Sequence, residues 1–229
     1  MSSADGGVPD APMTLPPAGD PGLAAFGSSL TAITLAELGD KTFFMALILA
    51  ARHRPRWVFL GAFAALTLVT LLSLGMGFGL REWLPQAVVP WLAAVLFLGF
   101  GVKLLVDASG LPADAATEEA HEAEAAIDAA ESDGSVRGPG AVIWEAFVLV
   151  FLAELGDRTQ FATIFLAAAP AFSFAGLLAG TLLGHALVTW LAVGAGQWIG
   201  GRISERVLYR LSGGLFLAFG LLSIRQAIG

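Results

Sequence analysis

The stretch Glu37-Leu38-Gly39-Asp40-Lys41-Thr42 decides the fold of this chain, and it returns as Glu154-Leu155-Gly156-Asp157-Arg158-Thr159. Each copy places two carboxylates, a glycine, a cation and a hydroxyl in sequence that is otherwise almost wholly apolar. Ionisable groups inside a membrane are costly and usually mark a functional site. The two motifs are therefore the candidate site, and the rest of the chain is interpreted as its scaffold.

The composition is typical of an integral membrane protein. Of 229 residues, 56% are hydrophobic and only 14% are charged. Residues 57–80, 83–102 and 159–201 contain no Asp, Glu, Lys or Arg, and about 20 apolar residues cross a bilayer core as a helix. The absence of cysteine excludes disulfides, thiolate metal sites and cysteine nucleophiles.

Six apolar segments are predicted to be transmembrane helices, so the fold class is an all-α integral membrane protein. Their approximate bounds are 30–51, 57–80, 88–106, 141–168, 174–199 and 207–224. Residues 1–28 are rich in Pro, Gly, Ala and Asp and are predicted to be a disordered tail. Residues 107–140 hold nine of the nineteen acids and are interpreted as a solvated acidic linker, with room for a short helix.

The two halves, residues 29–106 and 141–229, match each other. The motifs are followed in both halves by further matching blocks, such as Leu68-Val69-Thr70 against Leu187-Val188-Thr189. Matching blocks in the same order indicate an internal duplication. Because three helices per repeat is an odd number, the second repeat must enter the membrane from the opposite side, which gives two inverted three-helix repeats, an architecture of secondary transporters.

Basic residues near the helix ends predict the orientation. One side receives Arg52, Arg54, Arg56, Arg137, Arg202 and Arg206, and the other receives only Arg81 and Arg225. The positive-inside rule then places the linker in the cytoplasm and both termini outside. A bacterial inner membrane and an internal photosynthetic membrane fit this hydropathy equally well.

The motifs predict an ion-exchange site. Glu37 and Asp40 are three residues apart, as are Glu154 and Asp157, so each pair would share one face of a helix. The glycine of each motif permits either close helix approach or local unwinding. Four carboxylates and two cations leave a charge of −2, which one divalent cation or two protons would neutralise.

The other donors in and after the motifs are also oxygen: Thr42, Thr159 and the amide of Gln160. Oxygen-rich sites suit Ca²⁺, Mg²⁺ and Mn²⁺. His185 is the one histidine in a predicted span, and it is interpreted either as a proton relay or pathway residue or as a structural histidine. Thr70 and Thr189 either line the ion path or bond their own helix backbone.

At these residues the chain resembles the two-repeat cation/proton exchanger family with the signature E-φ-G-D-(K/R)-(S/T), and both copies fit without a mismatch. The family's Golgi members are implicated in manganese and calcium handling, and its bacterial and plastid members include manganese transporters. The resemblance implies Glu37, Asp40, Glu154 and Asp157 as the ion site. It also implies the two motif threonines as secondary ligands, and Lys41 and Arg158 in pKa tuning or gating.

The expected function is a secondary active transporter, not an enzyme, that exports Mn²⁺, or alternatively Ca²⁺, from the cytoplasm in exchange for H⁺. No prosthetic group and no nucleic-acid partner are expected, and the sequence gives no indication of oligomeric state. An exporter of small organic cations or amino acids, an intramembrane hydrolase using paired carboxylates, and a membrane scaffold or assembly protein are the alternatives. Duplication of the whole motif favours a transported ion over a single catalytic centre.

Overall fold

The computed structural model describes residues 20–110, 118–132, 138–169, 172–195 and 205–228. Within these ranges the chain forms helices and no strands. The helices are α1 (Pro21–Glu37), α2 (Lys41–Arg52), α3 (Pro55–Trp83), α4 (Val89–Gly110), α5 (Glu118–Glu131), α6 (Pro139–Glu154), α7 (Arg158–Ala168), α8 (Phe174–Ala195) and α9 (Glu205–Ile228).

Four helices in the described ranges are long and apolar enough to cross a bilayer: α3, α4, α8 and the Tyr209–Ile228 part of α9. The pair α6 and α7 also qualifies if it counts as one broken span, and it is bent by 69°. Length and composition thus support four or five spans, whereas six were predicted. The difference lies in the first segment, which is divided between α1 and α2, at 17 and 12 residues.

Both motifs interrupt a helix in the same way. Leu38 and Leu155 are extended, with ψ of 114° and 111°, and the glycines that follow have φ of 79° and 84°. This left-handed conformation is accessible to glycine without a Cβ clash. Asp40 and Asp157 then stand at the N-caps of α2 and α7.

The structure therefore shows local unwinding at the motif glycines, one of the two options that the sequence left open. The prediction that each Glu–Asp pair shares one face of a continuous helix is wrong. The glutamate ends one helix and the aspartate precedes the next, because the left-handed glycine between them breaks the hydrogen-bond ladder.

Helices of one half pack on helices of the other. α1 packs on α8 and α3 packs on α6, while α4 and α9 pack against each other. Gly61 of α3 lies so close to α6 that a Cβ there would overlap the Ile143 carbonyl oxygen, and a Cβ at Gly180 of α8 would overlap Ser29 of α1. Gly61 and Gly180 have the same offset in sequence as Leu68 and Leu187, the block that matches between the halves. The contact of α3 with α6 in one direction is therefore repeated as the contact of α8 with α1 in the other, which we call exchanged contacts.

The first helix begins at an earlier residue than predicted. α1 begins at Pro21, where the Asp20 carboxylate accepts a hydrogen bond from the Gly22 N–H (2.9 Å), and Ala25 is fully buried. Residues 21–28 therefore belong to a packed helix and not to a disordered tail. Residues 1–19 lie outside the described ranges.

The acidic segment departs furthest from its prediction. α4 continues through Asp107 to Gly110, and α5 packs against α2. Ala123 and Ile127 of α5 are 0% exposed, so the interpretation of this segment as a solvated spacer is wrong for α5. These two apolar residues, one helical turn apart, form the buried face of α5 against the bundle. Residues 111–117 and 133–137 of the predicted linker are not among the described residues.

Candidate ion-binding site

Two buried glutamates occupy equivalent positions at the helix breaks. Glu37 ends α1 and is 2% exposed, and Glu154 ends α6 and is 1% exposed. The Thr42 hydroxyl donates to Glu37 Oε2 (3.1 Å), and the Thr159 hydroxyl donates to Glu154 Oε2 (3.2 Å). In both glutamates the other oxygen, Oε1, is buried and has no hydrogen-bond partner.

Asp40 joins the two glutamates. One carboxylate oxygen from each of Glu37, Asp40 and Glu154 lies within 4.8 Å of the others, and all three residues are buried. Three carboxylates gathered away from water repel one another and lose hydration. Such a group needs a cation or protons to be stable, and the unpaired oxygens are free to bind either one.

Asp157 does not belong to this trio. Its carboxylate accepts a hydrogen bond from the Thr159 N–H (3.2 Å), which caps α7, and shares the Thr159 hydroxyl proton with Glu154 (3.2 Å to each). Its side chain is 21% exposed, compared with 5% for Asp40. The four predicted carboxylates are thus arranged as a buried group of three and a fourth at the edge that also acts as a helix cap.

The two motif cations occupy different environments. Arg158 reaches across to the first motif and pairs with Asp40 (2.5 Å), and its Nε lies 3.8 Å from Asp157. Lys41 instead pairs with Glu122 of α5 (2.8 Å). The predicted charge of −2 counted Lys41 beside the carboxylates, whereas in the structure Glu122 of the linker helix balances the charge of Lys41.

His185 of α8 lies beside the trio and is buried. Its Nδ1 is 3.8 Å from Glu37 Oε1, and neither atom has a hydrogen-bond partner. Since this distance is too long for a hydrogen bond, the two atoms face each other without direct pairing. A small cavity is lined by His185 together with Glu37, Thr42 and Thr189.

The remaining predicted residues are placed as follows. Thr70 donates to the Leu66 carbonyl of its own helix (2.7 Å), which is the structural role that the sequence left open for it. Gln160 Oε1 accepts the Gly156 N–H (2.7 Å), so this oxygen supports the helix break, and metal ligation by Gln160 stays a prediction.

Sequence reasoning missed three residues near the motifs. Glu119 of α5 accepts a hydrogen bond from the Tyr209 hydroxyl (3.0 Å) and lies 3.9 Å from Arg158. The Ser212 hydroxyl donates to the Leu35 carbonyl near the end of α1 (2.6 Å). Tyr209 is the only tyrosine in the chain, a signal that could have drawn attention to it, whereas nothing in the sequence marked Glu119 among its acidic neighbours.

Known proteins resemble this chain over most of its length. The family described as divalent cation/proton antiporter GDT1 matches residues 25–111 and 142–229. GDT1-like protein sll0615 of Synechocystis is 44% identical over 203 residues, which are 88% of this chain and 97% of that protein. No solved structure shows significant similarity.

Two plastid relatives are longer than this chain. GDT1-like protein 1, chloroplastic, of Oryza sativa subsp. indica is 37% identical over 216 residues, or 89% of this chain and 62% of the rice protein. Protein PAM71, chloroplastic, of Arabidopsis thaliana is 38% identical over 216 residues, covering 90% of this chain and 58% of that protein. This chain therefore spans about three fifths of their length.

Proposed function

We propose, because this chain belongs to the GDT1 family of divalent cation/proton antiporters, that it exports a divalent cation from the cytoplasm in exchange for protons at the Glu37–Asp40–Glu154 group. The family is one of transporters and not of enzymes. The observation that carries the proposal is the meeting of three buried carboxylates from both motifs, with unpaired oxygens on both glutamates.

Charge balance explains why this group would exchange its ligands. A divalent cation and protons compete for the same buried oxygens, and either one offsets the repulsion among the carboxylates. Glu37 and Glu154 also stand at the carboxyl ends of α1 and α6, where the partial negative charge of the helix dipole favours a cation. Ligand atoms within 4.8 Å of one another suit a single ion better than an organic cation.

We propose Mn²⁺ as the preferred ion and Ca²⁺ as a weaker substrate. Support comes from His185, whose Nδ1 faces the unpaired Glu37 oxygen at 3.8 Å. An ion with bonds of about 2.1–2.2 Å could bridge two atoms at this separation. An imidazole nitrogen favours a transition-metal ion, whereas Ca²⁺ selects oxygen ligands.

The proposed architecture is a pair of inverted repeats with six membrane-crossing segments, of which the first and fourth are broken at the motifs. It is supported by the exchanged contacts of α1 with α8 and of α3 with α6 and by the identical breaks at Gly39 and Gly156. Broken helices that meet near the membrane midplane are the usual ion sites of such transporters. Rocking of one repeat against the other would then give alternating access.

Transport into proteoliposomes tests the proposal. Purified full-length chain is reconstituted with a pH dye inside, and Mn²⁺ or Ca²⁺ is offered outside. We expect metal entry with proton exit, reduced at least about tenfold in Glu37→Gln and Glu154→Gln because each removes a charge from the trio. Glu82→Gln, an exposed acid at the end of α3, is the matched control and should transport normally. Metal entry without proton movement, or equal activity of all variants, would reject the exchange site.

A further inference from the structure

A second group of potential metal ligands lies where three helices meet. His53 is the C-cap of α2, Glu131 is the last residue of α5, and Glu145 is in α6. One ligand atom from each lies within 4.8 Å of the others. The group shares no residue with the Glu37–Asp40–Glu154 trio, and the proposed transport mechanism makes no use of it.

Glu145 is the observation that points to a ligand. The residue is 9% exposed, and neither of its carboxylate oxygens has a hydrogen-bond partner. Its Oε2 is 3.6 Å from His53 Nε2, which aims the carboxylate at the other two residues without a hydrogen bond. Buried polar atoms in native proteins are almost always satisfied, so two unpartnered oxygens on one buried acid call for a missing ligand.

Glu131 is oriented by its neighbours. Its Oε1 is 2.7 Å from His53 Nε2, while its Oε2 accepts a hydrogen bond from Arg52 (2.7 Å). Arg52 therefore fixes the Glu131 carboxylate toward the group, as outer-sphere partners fix metal ligands.

We propose that His53, Glu131 and Glu145 form a second divalent-cation site, for a transition-metal ion, that fastens the linker helix α5 to α2 and α6. Arg52 beside Glu131 is also paired with Asp128 (2.7 Å), so these two charges offset each other. A neutral imidazole and the two carboxylates of the group then leave a charge of −2, which a divalent ion balances. The imidazole nitrogen favours a first-row transition-metal ion over Ca²⁺, which selects oxygen ligands. Metal binding at this group can be measured without transport, so this proposal is tested separately from the exchange site.

Metal binding to the full chain in detergent is the first test, in a Glu37→Gln/Glu154→Gln background that removes two charges from the transport site. Mn²⁺ is titrated by equilibrium dialysis, and Co²⁺ serves as a spectroscopic probe. We expect one bound ion, with affinity at least about tenfold weaker in His53→Ala and in Glu145→Gln. The Co²⁺ absorption bands should change when His53 is removed, because an imidazole ligand is lost.

An exposed histidine of α5 supplies the matched control. His121→Ala removes an imidazole from the same helix outside the group, and it should bind as the background does. A background that binds no ion, or binding that is equal in His53→Ala and His121→Ala, would overturn the site.

A second measurement tests the fastening of α5 and does not depend on the ligand variants. The chain has no cysteine, so an introduced one is the only thiol. Ala123 lies on the face of α5 that packs against the bundle and is fully buried, whereas Ala125 of the same helix is exposed. Mn²⁺ should slow thiol modification of Ala123→Cys several-fold and leave Ala125→Cys unchanged. A thiol-modification rate of Ala123→Cys that does not change with Mn²⁺ would overturn the fastening role.

Discussion

At the scale of single residues, two motifs that differ only at Lys41 and Arg158 place their side chains differently. Asp40 makes no capping hydrogen bond and pairs with Arg158, whereas Asp157 caps α7. The difference arises because Arg158 crosses to the other motif while Lys41 turns to Glu122. Equivalent sequence positions therefore contribute to stability by different mechanisms.

Asp40→Ala should be more destabilising than Asp157→Ala. Removing Asp40 leaves the largely buried Arg158 without its nearest partner, a loss of about 3–5 kcal/mol. Removing Asp157 deletes an N-cap, which costs about 1 kcal/mol. Unfolding of the purified variants in detergent measures both, with Asp157→Asn as a control that keeps a capping side chain. Equal losses would contradict the asymmetry between the motifs.

His185→Asn should change ion preference more than overall activity. If Nδ1 contributes to the ion site beside Glu37, its loss should lower Mn²⁺ transport by about tenfold, a typical cost of a lost metal ligand or its support. Ca²⁺ transport should fall less, since Ca²⁺ selects oxygen. Initial rates for both ions in the same proteoliposomes give the ratio. An unchanged ratio would assign His185 a structural role.

At the scale of secondary structure, the motif glycines determine where the helices stop. Gly156 has φ of 84°, and a Cβ built on it would touch nothing within 4 Å. Its requirement is therefore backbone conformation and not space. Gly75, inside α3, also has open space around it but lies in regular helix.

Gly156→Ala should lower the free energy of unfolding by about 1–2 kcal/mol, because a left-handed conformation strains any residue with a Cβ. Gly75→Ala is the matched control and should be neutral or stabilising by up to about 1 kcal/mol, since alanine favours helix. Thermal or denaturant unfolding compares the two. A Gly156→Ala protein as stable as Gly75→Ala would show that the break does not need glycine.

Docking of α5 should weaken in acid. The pKa of Glu131 is lowered below its ordinary value of 4.5 in the docked helix, so docking is favoured by the ionised carboxylate. This contribution is fully present above the ordinary pKa and is lost as the pH falls through the lowered one. The modification rate of Ala123→Cys relative to Ala125→Cys should rise on acidification. In Glu131→Gln the ratio should already be raised at neutral pH and should change less, whereas a wild-type-like pH response in that variant would reject Glu131 as the responsible group.

At the scale of the whole molecule, exchanged contacts between the halves support the proposed inverted repeats. α1 on α8 and α6 on α3 use the corresponding glycines Gly180 and Gly61 for close approach. The proposed architecture has three membrane segments in each half, and it predicts that the linker helix and the end of α9 face opposite sides of the membrane.

Topology mapping with an impermeant thiol reagent checks this arrangement. In sealed cells, Ile228→Cys near the end of α9 should be labelled from outside, and Ala129→Cys on α5 only after permeabilisation, as the positive-inside rule predicts. Both positions are exposed, so exposure does not distinguish them. Labelling of both from the same side would contradict an odd number of crossings between them.

The sequence by itself determined the class of fold, an all-helical membrane protein, and the position of the candidate site. A high apolar content and uncharged runs of spanning length predict membrane helices, and carboxylates repeated in two otherwise apolar segments are costly enough to indicate a function. These are local properties of composition and spacing. The family resemblance rested on the same residues, and the match of the GDT1 family over both halves confirms it.

Only the tertiary structure decided which side chains meet. In the structure Asp157 lies apart from the buried trio, and Lys41 pairs with Glu122. α5 packs on the bundle through Ala123 and Ile127. The tertiary structure also gathered His53, Glu131 and Glu145 from three distant parts of the chain. Such contacts depend on packing between helices far apart in sequence, which neither periodicity nor charge count encodes.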